Sequence, residues 1–322
     1  MRYCMGIDGG GTKTICLLSD EDGTIIGKGV AGPSNYHVVG IEQTQEAIHS
    51  CIKEAIAQSG RQITEIQSIT LGMAGVDRPD DYAVVNRILD GLDVKFWSRT
   101  TDNDAVIALA GATVARPGVV IICGTGSIAF GINSRGERRR AGGWGPILGD
   151  EGGGYDIGRR AMVAAMRDAD GRGPSTMLKP MILEHLQLPA IERLVARVHV
   201  QNMQRHEIAT LARLVINAAN KGDHVAQEIL IYAGRELATG AIAVIRGLNM
   251  QLDEFEIGLA GGVFRAKGLI VETISRLTRE VAPQSNVVMP RFEPSVGALL
   301  LALKLTNSGL TDEMVENVAA TI

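Results

Sequence analysis

Short apolar runs separated by glycine-rich turns mark the start of the chain. Residues 2–7 and 14–18 are β-prone runs, and residues 8–13 between them read DGGGTK. Such runs predict strands, so the glycine turn predicts a hairpin rather than a strand-to-helix connection. The same order of strand, glycine turn and strand recurs over residues 118–132. This repetition predicts two similar halves.

Longer stripes of apolar residues at helical spacing accompany both hairpins. The pattern predicts an α/β protein of two domains, residues 1–116 and a larger, helix-rich 117–322. In the first domain it predicts a helix closed by Gly60, strands over 66–71 and 95–99, and a helix over 105–110. In the second it predicts helices over 158–167, 176–185, 191–199, 207–219, 224–248, 269–278, 295–304 and 311–320, and strands over 255–259 and 287–289.

Composition excludes several classes of function. A net charge of -4 over 322 residues argues against a nucleic-acid-binding face. The one basic run, residues 138–140, follows a turn and is typical of a solvated strand edge. The four cysteines show no paired spacing, the six histidines show no metal-ligand spacing, and no apolar run reaches membrane-spanning length. We therefore expect a cytoplasmic protein that binds neither membranes nor nucleic acid.

The first glycine turn carries groups that suit a phosphate chain. The backbone N–H groups of Gly9, Gly10 and Gly11 are not shielded by Cβ atoms, and a concave row of such donors binds phosphates. The Thr12 hydroxyl adds a donor, and Asp8 would hold Mg²⁺ through water. The alternative is an ordinary turn, because the spacing is that of neither the Walker loop nor the dinucleotide fingerprint.

Polar side chains also cluster where a predicted strand meets a helix, over residues 102–104 (DND). Open α/β sheets place ligands at the carboxyl ends of strands. Asp104 is the candidate general base, which would accept the proton of a substrate hydroxyl. Plain N-capping of the helix is the alternative and accounts for one of the three residues. Asn35, in an irregular segment over 31–37, would likewise either cap a helix or bind a polar ligand.

Glycine is concentrated once more in residues 141–155 (AGGWGPILGDEGGGY). This composition predicts a long functional loop. Its carboxylates, Asp150 and Glu151, could accept sugar hydroxyls, and the indole of Trp144 could pack on a pyranose face. A flexible loop with charged tips is the alternative. A third glycine turn, Gly261-Gly262, would let a flat base or a ribose approach the backbone.

Taken in order, these motifs resemble the N-acetylglucosamine kinase branch of the BadF/BadG/BcrA/BcrD ATPase family, within the sugar kinase/Hsp70/actin superfamily. The motifs are 8–13, 103–105, 124–127 (GTGS), 142–145 (GGWG), 149–152 (GDEG) and 260–263 (AGGV). The resemblance extends over essentially the whole chain and is strongest to bacterial kinases that recycle cell-wall amino sugars. It implies two RNase H-like domains with ATP and Mg²⁺ in a cleft between them, and a homodimer.

The resemblance also implies roles for individual residues. Transfer of the γ-phosphate to the 6-hydroxyl of N-acetylglucosamine or N-acetylmuramate would use Asp104 as base and Asp8 for Mg²⁺. The residues implied to contact ATP are Gly9, Gly10, Gly11, Thr12, Lys13, Thr125, Gly261 and Gly262. Those implied to bind the sugar are Asn35, Asp104, Ser127, Gly143, Trp144, Gly145 and Asp150. Pro146 replaces a histidine of the animal kinases, and Gly153 replaces a frequent serine.

Two other enzymes of the same fold stay open as alternatives, and a third alternative is a sugar-binding protein without catalytic activity. A dehydratase-activating ATPase would need cysteines presented to an iron–sulfur cluster shared by a dimer. A glucosamine kinase would differ only in its sugar. A sugar sensor would retain Asn35 and Asp150 and could lose the base, whereas Asp104 is retained.

Overall fold

A computed structural model describes residues 2–92, 94–266, 268–306 and 309–322, except for the side chain of Ala266. The chain forms two compact units. The first unit comprises Met1–Arg116 together with Pro290–Ile322, and the second comprises Pro117–Met289. The predicted boundary at residues 116 and 117 separates them, but the last part of the predicted second domain packs with the first unit.

The first unit contains a five-stranded mixed sheet in the order β3-β2-β1-β4-β5. Its strands are β1 (Tyr3–Gly9), β2 (Thr14–Asp20), β3 (Ile25–Ala31), β4 (Glu65–Met73) and β5 (Lys95–Asn103). The β1–β2 and β2–β3 pairs are antiparallel, whereas β4 lies parallel to β1 and β5 parallel to β4. The predicted hairpin is thus present, with Gly9 opposite Thr14 at its closed end.

The second unit repeats this arrangement with the order β10-β9-β6-β7-β8. Its strands are β6 (Gly118–Cys123), β7 (Ser127–Ile132), β8 (Arg138–Gly142), β9 (Phe255–Ala260) and β10 (Ser285–Val288). The first three strands pair antiparallel, β9 lies parallel to β6, and β10 parallel to β9. The basic residues 138–140 lie on the edge strand β8, as predicted. Two mixed sheets of equal size and order confirm the predicted α/β fold.

Helices cover both sheets. In the first unit they are α1 (Tyr36–Val39), α2 (Ile41–Gln58), α3 (Pro79–Asp90), α4 (Asp104–Thr113), α12 (Pro294–Lys304) and α13 (Asp312–Thr321). In the second unit they are α5 (Gly154–Ala169), α6 (Leu178–His185), α7 (Arg193–His199), α8 (Arg205–Thr210), α9 (Ala212–Asn220), α10 (His224–Gly247) and α11 (Leu269–Val281), with a 3₁₀ turn at Gly262–Ala266. None of the described helices is both long and apolar enough to cross a membrane.

The position of α12 explains why the C-terminal segment joins the first unit. Strand β1 is buried almost throughout, because α2 contributes to the core on one of its faces and α12 to the core on the other. A side chain at Gly6 of β1 would collide with the backbone of Leu299, and one at Gly297 with that of α4. The sequence pattern predicts this helix correctly but not the sheet against which it packs.

Two further elements differ from the prediction. The helix predicted over 207–219 is divided into α8 and α9 at Leu211. Of the segment predicted to be irregular over 31–37, residues 32–35 are irregular, whereas Ala31 ends β3 and Tyr36 begins the short helix α1. No proline or glycine marks the break at Leu211, so composition gives no signal for it.

Candidate active site

The first hairpin is open to solvent at Gly11, whereas Gly9 is buried at the end of β1. Its turn is closed by the Gly10 N–H, which donates to the Lys13 carbonyl at 3.0 Å. A Cβ atom at Gly11 would meet nothing within 4 Å, so the space beside this residue is open. Thr12 and Lys13 are exposed beside it. A ligand can therefore approach the backbone of the turn at Gly11.

Asp8, at the end of β1, is half-buried among other charges. Its burial, and then the neighbouring Asp104 carboxylate, raise the pKa of Asp8 to about 6, while Lys13 lowers that pKa and Glu293 raises it. Asp8 and Asp104 are therefore close enough for each charge to affect the other. Their hard oxygen donors suit Mg²⁺, and a dication would relieve the repulsion between them. Among the described residues no group of three or more His, Cys, Asp or Glu side chains forms a ready-made metal cage.

Asp104 is the first residue of α4, and its neighbour performs the capping. The Asn103 side chain accepts a hydrogen bond from the Ala105 N–H at 2.9 Å and donates one to the Val76 carbonyl at 2.9 Å. Burial raises the pKa of Asp104, while hydrogen bonds with backbone groups lower it. Because Asn103 is the N-cap, capping of α4 does not require Asp104, whose carboxylate also interacts with backbone groups at the helix start. A half-buried carboxylate of raised pKa at a strand's carboxyl end suits a general base.

Asn35 caps α1, one of the two roles predicted for it, since its side chain accepts a hydrogen bond from the His37 N–H at 3.2 Å. It also lies against Gly75, where a Cβ atom would be 3.0 Å from the Asn35 amide oxygen. The loop after β4 contains Gly75 and therefore borders a candidate sugar-binding residue, but its sequence pattern predicted no role. Its only signal was the pair Gly72 and Gly75 at the end of a predicted strand.

In the second unit, the loop 142–153 packs against the second hairpin. The Gly143 N–H donates to the Ser127 carbonyl at 3.0 Å, and the Ser127 hydroxyl donates to the Glu151 carbonyl at 2.7 Å. A side chain at Gly126 would collide with the Asp150 carboxylate. The structure thus brings Asp150 and Glu151 against Gly126 and Ser127, which lie 24 residues earlier in the chain.

Asp150 itself has an unusual backbone. Its φ is 62°, in the left-handed region that is uncommon for residues other than glycine. Burial raises the pKa of its carboxyl group, and hydrogen bonds with the backbone of Ser127 and Gly145 lower it. Strained residues of this kind cluster at ligand sites. Asp150 is therefore held in place by the loop as a fixed acceptor.

The other loop residues shape the surroundings of Asp150. Gly143 and Gly145 have φ values of 71° and 83°. Trp144 is 60% exposed, and the Arg140 guanidinium lies 4.3 Å from the centre of its ring. A Cβ atom at Gly153 would lie 2.8 Å from the Gly126 carbonyl carbon. This backbone has no room for the serine that is frequent there in the resembling family.

The third glycine turn lies beside the second hairpin's first strand. Gly261 has a φ of 114°, and a side chain there would collide with the Cys123 carbonyl. Gly262 begins the 3₁₀ turn, and a Cβ atom there would meet nothing within 4 Å. The turn therefore presents bare backbone at the carboxyl end of β9, where a flat ring can approach it.

All four cysteines, Cys4, Cys16, Cys51 and Cys123, are buried. Burial raises the pKa of the Cys123 thiol to about 12. A buried thiol that stays protonated does not present a thiolate ligand at a subunit surface. This observation weighs against the iron–sulfur alternative.

Comparison with known proteins adds independent findings. The profile of the BadF/BadG/BcrA/BcrD ATPase family matches residues 5–302. The N-acetylmuramic acid/N-acetylglucosamine kinase of Clostridium acetobutylicum is 35% identical over 94% of this chain and 98% of its own. The N-acetyl-D-glucosamine kinase of Dictyostelium discoideum is 36% identical over 93% of this chain and 97% of its own.

A solved structure from Chromobacterium violaceum, provisionally named an N-acetylglucosamine kinase, superposes with a TM-score of 0.73 at 30% identity. It covers 94% of this chain, which in turn covers 99% of the Chromobacterium chain. A glucokinase of the ROK family from Streptomyces griseus superposes with a TM-score of 0.55 at 17% identity. The second similarity concerns the fold alone.

Proposed function

Because the chain belongs to the BadF/BadG/BcrA/BcrD ATPase family, we propose that it is an ATP-dependent kinase of N-acetylated amino sugars. Its substrates would be N-acetylglucosamine, N-acetylmuramate or both, and the phosphate would go to the 6-hydroxyl. The similarity along nearly the full length of two amino-sugar kinases supports the substrate class. The single structural observation that carries the proposal is the half-buried Asp104 at the start of α4, with its capping role taken over by Asn103.

Residues of the first unit would perform the proton transfer. Asp104 accepts the proton of the attacking hydroxyl, because burial makes its carboxylate more basic than an exposed one. Asp8, with Asp104 nearby, would hold Mg²⁺, which when bound neutralises charge on the transferring phosphate. The backbone of Gly9, Gly10 and Gly11, with Thr12 and Lys13, would bind the phosphates of ATP.

Residues of the second unit would orient the two substrates. Thr125 would contact ATP, and Gly261 and Gly262 would leave space for its nucleoside. Asp150 would accept sugar hydroxyls from a position that the loop backbone fixes. Ser127, Gly143, Gly145 and Trp144 would also bind the sugar, as would Asn35.

The test is sugar-dependent release of ADP from Mg·ATP across a panel of sugars. The panel comprises N-acetylglucosamine, N-acetylmuramate, glucosamine, N-acetylmannosamine and glucose. We expect strong turnover on one or two N-acetylated sugars, and the product's phosphate at C6 by NMR. Preference for glucosamine would select the alternative sugar. ATP hydrolysis without a phosphorylated sugar would overturn the kinase assignment and favour the activating ATPase.

Two further expectations of the resemblance stay predictions. A homodimer would be seen by light scattering as twice the 34.2 kDa chain mass. A role in cell-wall recycling would require turnover of N-acetylmuramate at a rate comparable to that of N-acetylglucosamine.

A further inference from the structure

Three side chains of the first unit form a hydrogen-bonded group that the proposed chemistry does not use. These are Tyr36 and His37 at the start of α1 and Asp81 in the first turn of α3, together called the Asp81 cluster. Asp81 is only 5% exposed. Its carboxylate accepts hydrogen bonds from the Tyr36 hydroxyl and from the Asp77 and Arg78 N–H groups, the latter two at 3.0 and 2.8 Å. The His37 Nε2 atom lies 3.3 Å from the same carboxylate.

Helix capping accounts for only part of this group. The bonds from the Asp77 and Arg78 N–H groups satisfy the start of α3, and an exposed aspartate at that position would make them equally well. The bonds to Tyr36 and His37 contribute nothing to α3. They connect it to a segment 45 residues earlier in the chain. The cluster therefore serves to fix that segment.

The hydrogen bond from Tyr36 to Asp81 persists over a wide pH range. The Tyr36 hydrogen bond, followed by that of Asp77, lowers the pKa of Asp81 to about 2. Burial, followed by the Asp81 hydrogen bond, raises the pKa of Tyr36 to about 12. Between these values Tyr36 is a donor and Asp81 an ionised acceptor, an arrangement that makes a strong hydrogen bond.

The fixed segment carries Asn35 directly before Tyr36. The His37 ring lies between Asp81 and the loop after β4, with Nε2 3.3 Å from the Asp81 carboxylate and 3.2 Å from the Gly75 carbonyl. The rings of Tyr36 and His37 pack with their centres 4.1 Å apart. Gly75 lies against both Asn35 and His37, each 3.0 Å from where its Cβ would be. The Asn35 amide thus accepts a hydrogen bond from the His37 N–H and lies against the backbone of Gly75.

The loop after β4 also touches the other candidate site elements of the first unit. The Ala74 N–H donates to the Gly9 carbonyl at 2.9 Å, and Asn103 donates to Val76. One loop thus connects the phosphate hairpin, the segment of Asp104 and the segment of Asn35. A shift of residues 35–37 would change the position of Asn35 relative to Asp104.

We propose that Tyr36 and Asp81 are positioning residues for the sugar, because their hydrogen bond holds Asn35 where its amide meets the substrate. This inference rests on the proposed kinase function. In the proposed reaction, neither the Tyr36 nor the Asp81 side chain touches the reacting atoms. Their loss should therefore weaken sugar binding while leaving phosphate transfer intact once the sugar is bound.

The main test is Tyr36→Phe, which removes one hydroxyl and keeps the ring against His37. We expect the KM for the sugar to rise about tenfold, the size expected for loss of a hydrogen bond to a charged group. The KM for ATP and kcat should stay within about twofold. Tyr3→Phe is the matched control, since its hydroxyl accepts a hydrogen bond from Arg61 within the same unit. The control should leave the sugar KM unchanged.

A double-mutant cycle separates positioning from general loss of stability. If Tyr36 acts through Asn35, Tyr36→Phe should add little to the sugar KM of Asn35→Ala. Independent, additive effects of the two substitutions would overturn the inference. Asp81→Asn gives a second route to the same comparison. If that variant does not fold, Tyr36→Phe alone decides.

Failure of this inference can be told apart from failure of the proposed function. A wild-type protein without turnover on any sugar would refute the function itself. A wild-type protein that is active, with an unchanged sugar KM in Tyr36→Phe, would refute only the positioning role. Thermal unfolding of each variant shows whether a change in KM accompanies a loss of fold.

Discussion

The two units share a strand order yet differ in what surrounds their glycine hairpins. The first hairpin lies among ionisable side chains, with Asp104, Lys13 and Glu293 all affecting the pKa of Asp8. The second is enclosed by backbone of the loop 142–153, which makes hydrogen bonds to it through Ser127 and Gly143. A repeated scaffold thus carries several ionisable side chains at one hairpin, and mainly loop backbone with the Asp150 carboxylate at the other.

This difference has a physical origin in the elements next to each hairpin. In the first unit, Asp104 is positioned at the N-terminus of α4, the helix that follows the edge strand β5. In the second unit, Asp150 comes from a loop rich in glycine, and its own φ of 62° is part of that loop's path. We therefore expect substitution of Asp104 in the first unit to change kcat, and substitution of Asp150 in the second to change the KM for the sugar.

The largest effect should come from Asp104→Asn. An amide cannot take up the hydroxyl proton, so kcat should fall by about a hundredfold or more, the contribution of a general base. Binding of ATP and sugar, measured by calorimetry, should persist. Asp90→Asn is the control, because Asp90 is an exposed carboxylate of the same unit, paired with Arg99. Turnover near wild type in Asp104→Asn would remove the base from the first unit.

Asp150 should show the opposite pattern. For Asp150→Ala we expect the sugar KM to rise by about tenfold to a hundredfold, since a hydrogen bond to a charged group contributes about 1.5–3 kcal/mol. The KM for ATP should change little. Asp150→Asn is a useful partner, because asparagine tolerates the left-handed backbone and so separates lost charge from added strain. A raised KM for ATP in place of sugar would move Asp150 out of the sugar site.

Matched glycine substitutions compare the two hairpins directly. Alanine at Gly126 would displace the Asp150 carboxylate, whereas alanine at Gly11 has free space in the structure. We expect Gly126→Ala to raise the sugar KM about tenfold, because misplacing a binding group by an ångström is costly. Gly11→Ala should fold normally and raise only the KM for ATP. Equal effects of both variants on the sugar KM would contradict the division of roles.

The smallest expected effect is a pH dependence that belongs to the first unit. Mg²⁺ binding requires an ionised carboxylate, and the pKa of Asp8 is raised to about 6. As the pH falls from 7 to 5, Asp8 takes up a proton, so the Mg²⁺ concentration for half-maximal thermal stabilisation should rise about tenfold. The Asp104→Asn variant should shift this transition to lower pH, because one of the charges that raises the pKa is gone. Equal Mg²⁺ dependence at pH 5 and 7 would contradict the assignment of Asp8.

Without metal, the same shift acts on stability with a defined sign. The folded protein holds the Asp8 proton up to about pH 6, whereas an unfolded chain loses it near 3.8. The contribution of Asp8 to the free energy of unfolding is therefore greatest below pH 4 and declines as the pH rises to about 6.

Local sequence patterns predicted most of the scaffold. Both hairpins followed from glycine between β-prone runs, and long helices such as α10 followed from their apolar stripe. The sequence pattern did not predict the break between α8 and α9, because Leu211 keeps a helical backbone and no glycine or proline lies beside it. Asn103 caps α4 and also donates a hydrogen bond to the Val76 carbonyl, a contact between segments 27 residues apart that no local pattern reveals.

The candidate site was harder to predict wherever two distant segments meet. Asp150 was recognised from its motif, but its contact with Gly126 depends on the folded loop. The Asp81 cluster joins residues 45 positions apart. Residues 290–322 were placed in the second domain because sequence order alone suggested it, whereas burial against β1 brings them to the first unit.

The return of the C-terminal segment to the first unit has a consequence for biosynthesis. A ribosome completes the second unit once Met289 has emerged, while β1, which precedes the other described strands, still lacks α12 on one face. Of the two described sheets, the one that is translated earlier thus has its core closed later. Until residue 304 emerges, the nascent chain exposes the apolar face of β1, a surface that chaperones bind.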